Sequence, residues 1–123
     1  MAHRIDALIR QIYSGGFAWD AYAPDVVWHV PGNHPLAGEY RGRGPVFEAF
    51  RAFEERSQGT IRTIVVSILS DDEYALAVIH ATGVRNQKNY DCFEFDVFRI
   101  AEGFVAETWS FSADQSATDS FWS

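Results

Sequence analysis

The stretch Tyr90-Asp-Cys-Phe-Glu-Phe-Asp-Val-Phe-Arg-Ile100 alternates large apolar with polar side chains for most of its length. A period of two is the mark of a β-strand, whose successive side chains point to opposite faces. Period alone places Phe93, Phe95 and Val97 against a core and turns Glu94 and Asp96 to water. Working outward, Thr60–Ser70, Tyr74–Val84 and Phe104–Phe111 read as three further strands, rich in β-branched and aromatic residues. The breaks between the four runs are Asp71-Asp72-Glu73, Arg85 to Asn89, and Ala101-Glu102-Gly103, each fit for a hairpin turn.

Upstream, the pattern changes to helix. Ile5, Leu8, Ile9 and Ile12 recur at helical spacing, and Gly15-Gly16 stops that helix. Phe17 to Tyr22 predicts a short second helix ended by Pro24, and Asp25–Val30 a first strand. Pro31 to Gly44 reads as a loop holding a short strand at Glu39-Tyr40-Arg41. Pro45 opens the next helix, where its missing N–H costs nothing. Val46, Phe47, Phe50 and Phe53 form that helix's apolar stripe, and Gly59 ends it. The segment Ser112–Ser123 is polar until Phe121-Trp122, two rings expected to pin it to the body. Helices ahead of most of an antiparallel sheet make the class α+β, in one domain over residues 1–123.

Composition narrows the function. The 123 residues are 47% apolar and 15% aromatic, with ten Phe and four Trp, which serves a core or a rigid cavity wall. Net charge is −7, and the ten Lys and Arg are scattered, which argues against nucleic acid and anionic membrane surfaces as partners. Cys92 is alone, and no His-x-His or His-x₃-His spacing occurs, so neither a disulfide nor a metal is expected. No stretch approaches a membrane span, and a cytoplasmic location is the expectation.

Specific strings then point to a family. Val27-Trp-His-Val-Pro-Gly32, Pro35-Leu-Ala-Gly38 and Tyr40-Arg-Gly42 resemble the first strand and following loop of SnoaL-like proteins in the NTF2-like superfamily. Asp96-Val-Phe-Arg-Ile100 with Gly103 and Glu107-Thr-Trp109 resembles their last hairpin, and Asp114-Gln115 with Phe121-Trp122 their tail. The resemblance implies an NTF2-like cone: N-terminal helices on a strongly curved, mainly antiparallel sheet that encloses one pocket. Its members include ketosteroid isomerases, polyketide cyclases, epoxide hydrolases, dehydratases and non-catalytic proteins, so fold does not fix reaction.

The resemblance also reverses the reading of the Phe93–Phe98 strand. It implies that Asp96 lines the pocket, at the position where isomerases keep a carboxylic acid protonated to donate to an oxyanion. Phe93, Phe95 and Val97 would then face a partner copy. His29, at the position of the isomerases' catalytic base, is the second candidate, since imidazole exchanges protons near neutral pH. A plain hydrogen bond from His29 to a loop carbonyl, with Trp28 doing the packing, is the alternative.

Trp109 and Glu107 share a strand face, and with Glu94, Phe98, His34 and Tyr13 they are the expected substrate-binding residues. Glu94 shares the parity of Asp96, and Phe98 completes an apolar surround. His34 sits in the loop at the implied pocket mouth. The isomerases' oxyanion tyrosine matches Ile12, with Tyr13 beside it pointing elsewhere, which argues against steroid isomerisation. The Arg-x-Asp unit of limonene-epoxide-hydrolase relatives occurs only as Arg4-Ile-Asp6, in the first helix. His80 reads as a sheet histidine. Gly42-Arg-Gly44 lacks the third Gly and the Lys of a phosphate loop.

These residues predict a cofactor-independent acid/base enzyme of isomerase, cyclase or dehydratase type. Its substrate would be an apolar polyketide- or terpenoid-like molecule, and the chain would work as a homodimer. The alternatives are a non-catalytic small-molecule-binding protein of the same fold, an accessory subunit using its convex face, and an epoxide-opening hydrolase.

Overall fold

The computed structural model describes residues 2–14 and 18–123, with side chains from residue 4 onward. The expected stop at Gly15-Gly16 and the start at Phe17 lie outside the described residues. Helix α1 (Ala2–Ile12) is followed by a 3-10 turn at Trp19–Ala21, β1 (Tyr22–Val30), β2 (Gly38–Arg41) and α2 (Arg43–Arg56). Then come β3 (Arg62–Ser70), β4 (Tyr74–Arg85), β5 (Lys88–Ala101), β6 (Phe104–Ser112) and α3 (Gln115–Trp122). The strands form one curved, open sheet in the order β2-β1-β6-β5-β4-β3. Every neighbouring pair is antiparallel except β1 with β6.

The quoted stretch is the sheet's centre, paired along its length with β4 and β6. Its two hairpins turn in two residues each. Asn86 and Gln87 both have positive φ, as do Glu102 and Gly103, the backbone that matches the right-handed twist of a hairpin.

Three expected boundaries move. Tyr22 belongs to β1 rather than to a short helix, and Pro24 sits inside that strand. The β1–β6 register shifts between Tyr22 and Val27, so Pro24 falls in an irregular stretch of the β1–β6 ladder, where a missing N–H is tolerated. Helix α2 starts at Arg43, two residues ahead of Pro45, because first-turn N–H groups have no partner in the helix anyway. The polar segment after β6 is helical. Asp114 caps it by accepting from the Ala117 N–H at 3.1 Å. Arg56 Nε donates to the Trp122 carbonyl at 2.6 Å, and Lys88 Nζ to that of Ser120 at 2.7 Å. Both cations meet the negative end of the helix.

Two apolar clusters hold the layers together. Ile5 and Ile9 of α1 and Val46 and Phe47 of α2 pack on Ala75, Ala77, Ile79 and Phe98 of the sheet. Phe121 and Trp122 of α3 pack on Ala81, Tyr90 and Cys92. The helices therefore cover one concave face and leave a cavity between themselves and the strands. Among the described residues no helix is long and apolar enough to cross a membrane.

Candidate functional site

The cavity measures about 440 Å³, within the range of small-molecule sites. Its apolar wall comes from Tyr22, Trp28, Phe50, Phe53, Phe98 and Trp122. These rings brace one another: Trp28 lies 4.9 Å from Phe50 and 5.5 Å from Phe53, centroid to centroid.

Asp96 and Glu94 line this cavity from β5. The register puts Asp96 opposite Ser110, Glu94 opposite Ser112 and Phe98 opposite Thr108. The Tyr13 hydroxyl, just past the end of α1, donates to Asp96. The expectation that Tyr13 points elsewhere is thus corrected: α1 ends at Ile12, and the turn after it brings the phenol onto the acid, its ring edge against Phe98. Ser110 also hydrogen-bonds Asp96 and accepts from Trp28 Nε1 at 2.9 Å. Burial pushes the Asp96 carboxyl up, against the opposing effect of its two hydroxyl partners. Burial first, and then the Asp96 carboxylate and its hydrogen bond, push the Tyr13 phenol well above its ordinary value.

Glu94 has its own phenol. Tyr90 Oη donates to Glu94 Oε2 at 2.5 Å and lies 2.9 Å from Thr118 Oγ1 of α3. Burial, with a smaller contribution from Asp96, pushes the Glu94 carboxyl to about 7, while the Tyr90 hydrogen bond acts the other way. Two carboxyls at positions i and i+2 of one strand face stand roughly 7 Å apart along the backbone. Thr108 completes the floor. Its hydroxyl is buried and has no hydrogen-bond partner among the described residues. Tyr90, Ser110, Thr118 and Trp28 were missed by sequence reasoning. Tyr90 shares the parity of Glu94 and Asp96, and that was the available signal.

Three expected pocket residues lie on the other face of the sheet. His29 pairs with Trp109 in the β1–β6 register, one position away from the cavity-facing Trp28 and Thr108. With a period of two, one position is a change of face. The His29 ring stacks on Trp109 at 5.4 Å. Its Nε2 lies 2.6 Å from Glu107 and its Nδ1 lies 3.1 Å from Glu39, so it ties β1, β2 and β6 together on the convex side. His29 and Asp96 do not face each other, and Trp109 and Glu107 do not line the cavity. His34 does line it. Its Nδ1 accepts from the Leu36 N–H at 3.2 Å, and burial, with a smaller effect from Arg56, lowers its pKa.

Comparison with known proteins adds a frame to this geometry. A family model described as the SnoaL-like domain matches residues 4–108. The uncharacterized protein Rv0034 of Mycobacterium tuberculosis (strain ATCC 25618 / H37Rv) is 34% identical over 102 residues, 82% of this chain and 78% of that protein. Among solved structures, Bal32a from a soil-derived mobile gene cassette superposes with a TM-score of 0.92 at 23% identity, covering 99% of this chain and 98% of its own. A Jannaschia sp. CCS1 protein assigned as a SnoaL-like polyketide cyclase gives a TM-score of 0.82 at 14% identity over 98% and 92% of the two chains. An NTF2-like protein from Cytophaga hutchinsonii ATCC 33406 gives 0.72 at 12% identity over 89% and 96%.

Proposed function

The chain belongs to the SnoaL-like domain family, and on that premise we propose that it is a cofactor-independent acid/base enzyme moving a proton on an apolar, polyketide- or terpenoid-like carbonyl compound. The observation that carries this reading is the pairing of two half-buried carboxyls on one strand, each tied to a different tyrosine. Glu94 is pushed to about 7, so near neutral pH it is present both as carboxylate and as acid, the condition a general base needs. Asp96 and Tyr13 form the donor pair. In a low-dielectric site they stabilise an oxyanion as it forms. A spacing of roughly 7 Å accommodates a carbonyl oxygen at the Asp96 end and an adjacent C–H at the Glu94 end, each within hydrogen-bond reach. Glu94 takes the proton from carbon, the electron pair moves into the C=C bond of the enol, and protonated Asp96, itself held by the Tyr13 hydroxyl, donates to oxygen. Return of the proton to another carbon completes an isomerisation. Attack of the enolate on a second carbonyl gives a cyclisation.

The experiment uses 2-tetralone, an apolar ring ketone with acidic α-protons, in D₂O. Enzyme-dependent loss of its α-proton NMR signal above the buffer rate supports the proposal. Ring binding without exchange assigns the cavity to a binding protein instead.

Homodimerisation is part of the same reading. Phe93 is 48% exposed on the convex face, and Ile64 and Leu69, on the same face in the strand register, are 64% and 61% exposed. Exposed apolar area on this scale favours burial against a second copy. Sedimentation at micromolar concentration is expected to give a dimer, and a monomer there would count against it.

A further inference from the structure

Helix α3 lies beyond residues 4–108, where the family model matches, yet it reaches Glu94 through a chain of hydroxyls. Tyr90 Oη is 2.5 Å from Glu94 Oε2 and 2.9 Å from Thr118 Oγ1. Thr118 Oγ1 is 2.7 Å from Ser112 Oγ and 3.1 Å from the Asp114 carbonyl oxygen. The Asp114 N–H in turn donates to Ser112 Oγ at 3.1 Å. Tyr90 and Thr118 are both buried, at 4% and 8% exposure, so the middle of this chain runs through the protein, and its far end reaches the surface at the exposed Asp114.

We propose that Tyr90, Thr118 and Ser112 form a reversible hydrogen-bond relay by which α3 holds Glu94 and lets it alternate between charged and neutral forms. The inference rests on the reading of Glu94 as the base. Each hydroxyl has one proton, so the chain has two complete orientations. With Glu94 ionised, Asp114 N–H donates to Ser112, Ser112 to Thr118, Thr118 to Tyr90 and Tyr90 to the carboxylate. Every donor then points at the charge, an arrangement in which successive hydrogen bonds strengthen one another. With Glu94 protonated, the carboxyl donates to Tyr90, Tyr90 to Thr118, and Thr118 to the Asp114 carbonyl. Neither state strands a buried polar group, which would cost about 1–3 kcal/mol. These three are positioning residues, since they act on substrate only through Glu94.

Burial and Asp96 both oppose the charged form of Glu94, and the Tyr90 hydrogen bond favours it. Asp96 on its own strand and Tyr13, just past the end of α1, face it, and the buried Cys92 thiol on the same strand lies 3.4 Å from Ser112 Oγ. His34, Glu54, Arg62 and Tyr22 also line the cavity, whereas α3 presents only uncharged Gln115, Thr118 and Trp122.

The test needs no substrate. The Glu94 carboxyl carbon is followed by ¹³C NMR through a pH titration in the full chain and its variants. Bonds to an ionised acceptor are the stronger ones, so cutting the chain raises the midpoint. Tyr90→Phe is expected to raise it by about one pH unit. Thr118→Val, which does not touch Glu94, is expected to raise it by a smaller, resolvable amount, and Thr118→Ser to restore it. Ser112→Ala carries the same test should Thr118→Val fail to fold. A midpoint unchanged in both Thr118→Val and Ser112→Ala overturns the relay and leaves the base assignment standing. A wild-type midpoint at the ordinary glutamate value, still moved by these variants, overturns the base assignment and leaves the relay standing.

Discussion

Glu94→Gln is expected to slow α-proton exchange of 2-tetralone by 10²- to 10⁴-fold, the usual contribution of a positioned general base, while ring binding is retained. Gln keeps the length and shape of the side chain and still accepts from Tyr90, but it takes no proton from carbon. The wild-type rate should rise with pH through one ionisation near 7, because Glu94 must be ionised to act and its carboxyl is pushed to about 7. In Glu94→Gln that ionisation should vanish from the profile. A variant exchanging at the wild-type rate removes Glu94 from the chemistry.

The same residue ties activity to stability with a definite sign. A carboxyl whose folded pKa is raised holds its proton longer in the native chain than in the unfolded one, so stability falls as pH rises. The contribution is fully present below about pH 4.5, is lost progressively as pH climbs through 7, and amounts to about 3 kcal/mol at the cited shift. Asp96, also raised, acts in the same direction. Urea unfolding at pH 5 and pH 8 should show wild type weakening, and Glu94→Gln should show a smaller loss.

The fold was readable because its signals are long. Four strands of alternating or β-branched residues and two amphipathic helices each repeat a pattern many times. A shift of one or two residues at an end, as at Tyr22 or Arg43, leaves the element intact. The site was less readable because it turns on single positions. His29 and Trp28 are neighbours, and a period of two makes them opposites. Nothing local in Val27-Trp-His-Val30 says which one faces inward, since both rings have apolar faces and polar edges. The answer lies in β6, whose Thr108, Ser110 and Ser112 pair with cavity-facing residues of β5. Small hydroxyl side chains there carry less pattern than the aromatic Trp109 beside them. Tyr13 was legible as a residue but not as a contact, because its direction depends on where α1 stops.

α3 was missed for a different reason: a helix of eight residues held by caps and two rings has no run of periodic apolar positions. That makes its attachment testable by a single truncation. Phe121 is 2% exposed, with its ring 5.0 Å from Tyr90 and 4.9 Å from Trp122, centroid to centroid. Phe121→Ala should cost about 3–5 kcal/mol, the range for emptying a buried aromatic site. The effect should not stop at stability. Tyr90 rests on Phe121 and holds Glu94, and Trp122 beside it forms part of the cavity wall. Loosening the ring frees both, so the variant should bind 2-tetralone more weakly even under conditions where it is folded. Trp122 alone would weaken binding by losing wall area. Phe121, which does not line the cavity, weakens it only if α3 transmits packing to Tyr90 and Trp122. Hydrogen exchange offers the local readout: amides of α3 should lose protection in Phe121→Ala, while those of β5 and β6, at the sheet's centre, keep theirs. Unchanged ligand affinity in a Phe121→Ala variant that unfolds several kcal/mol more easily would show that α3 serves the fold and not the site.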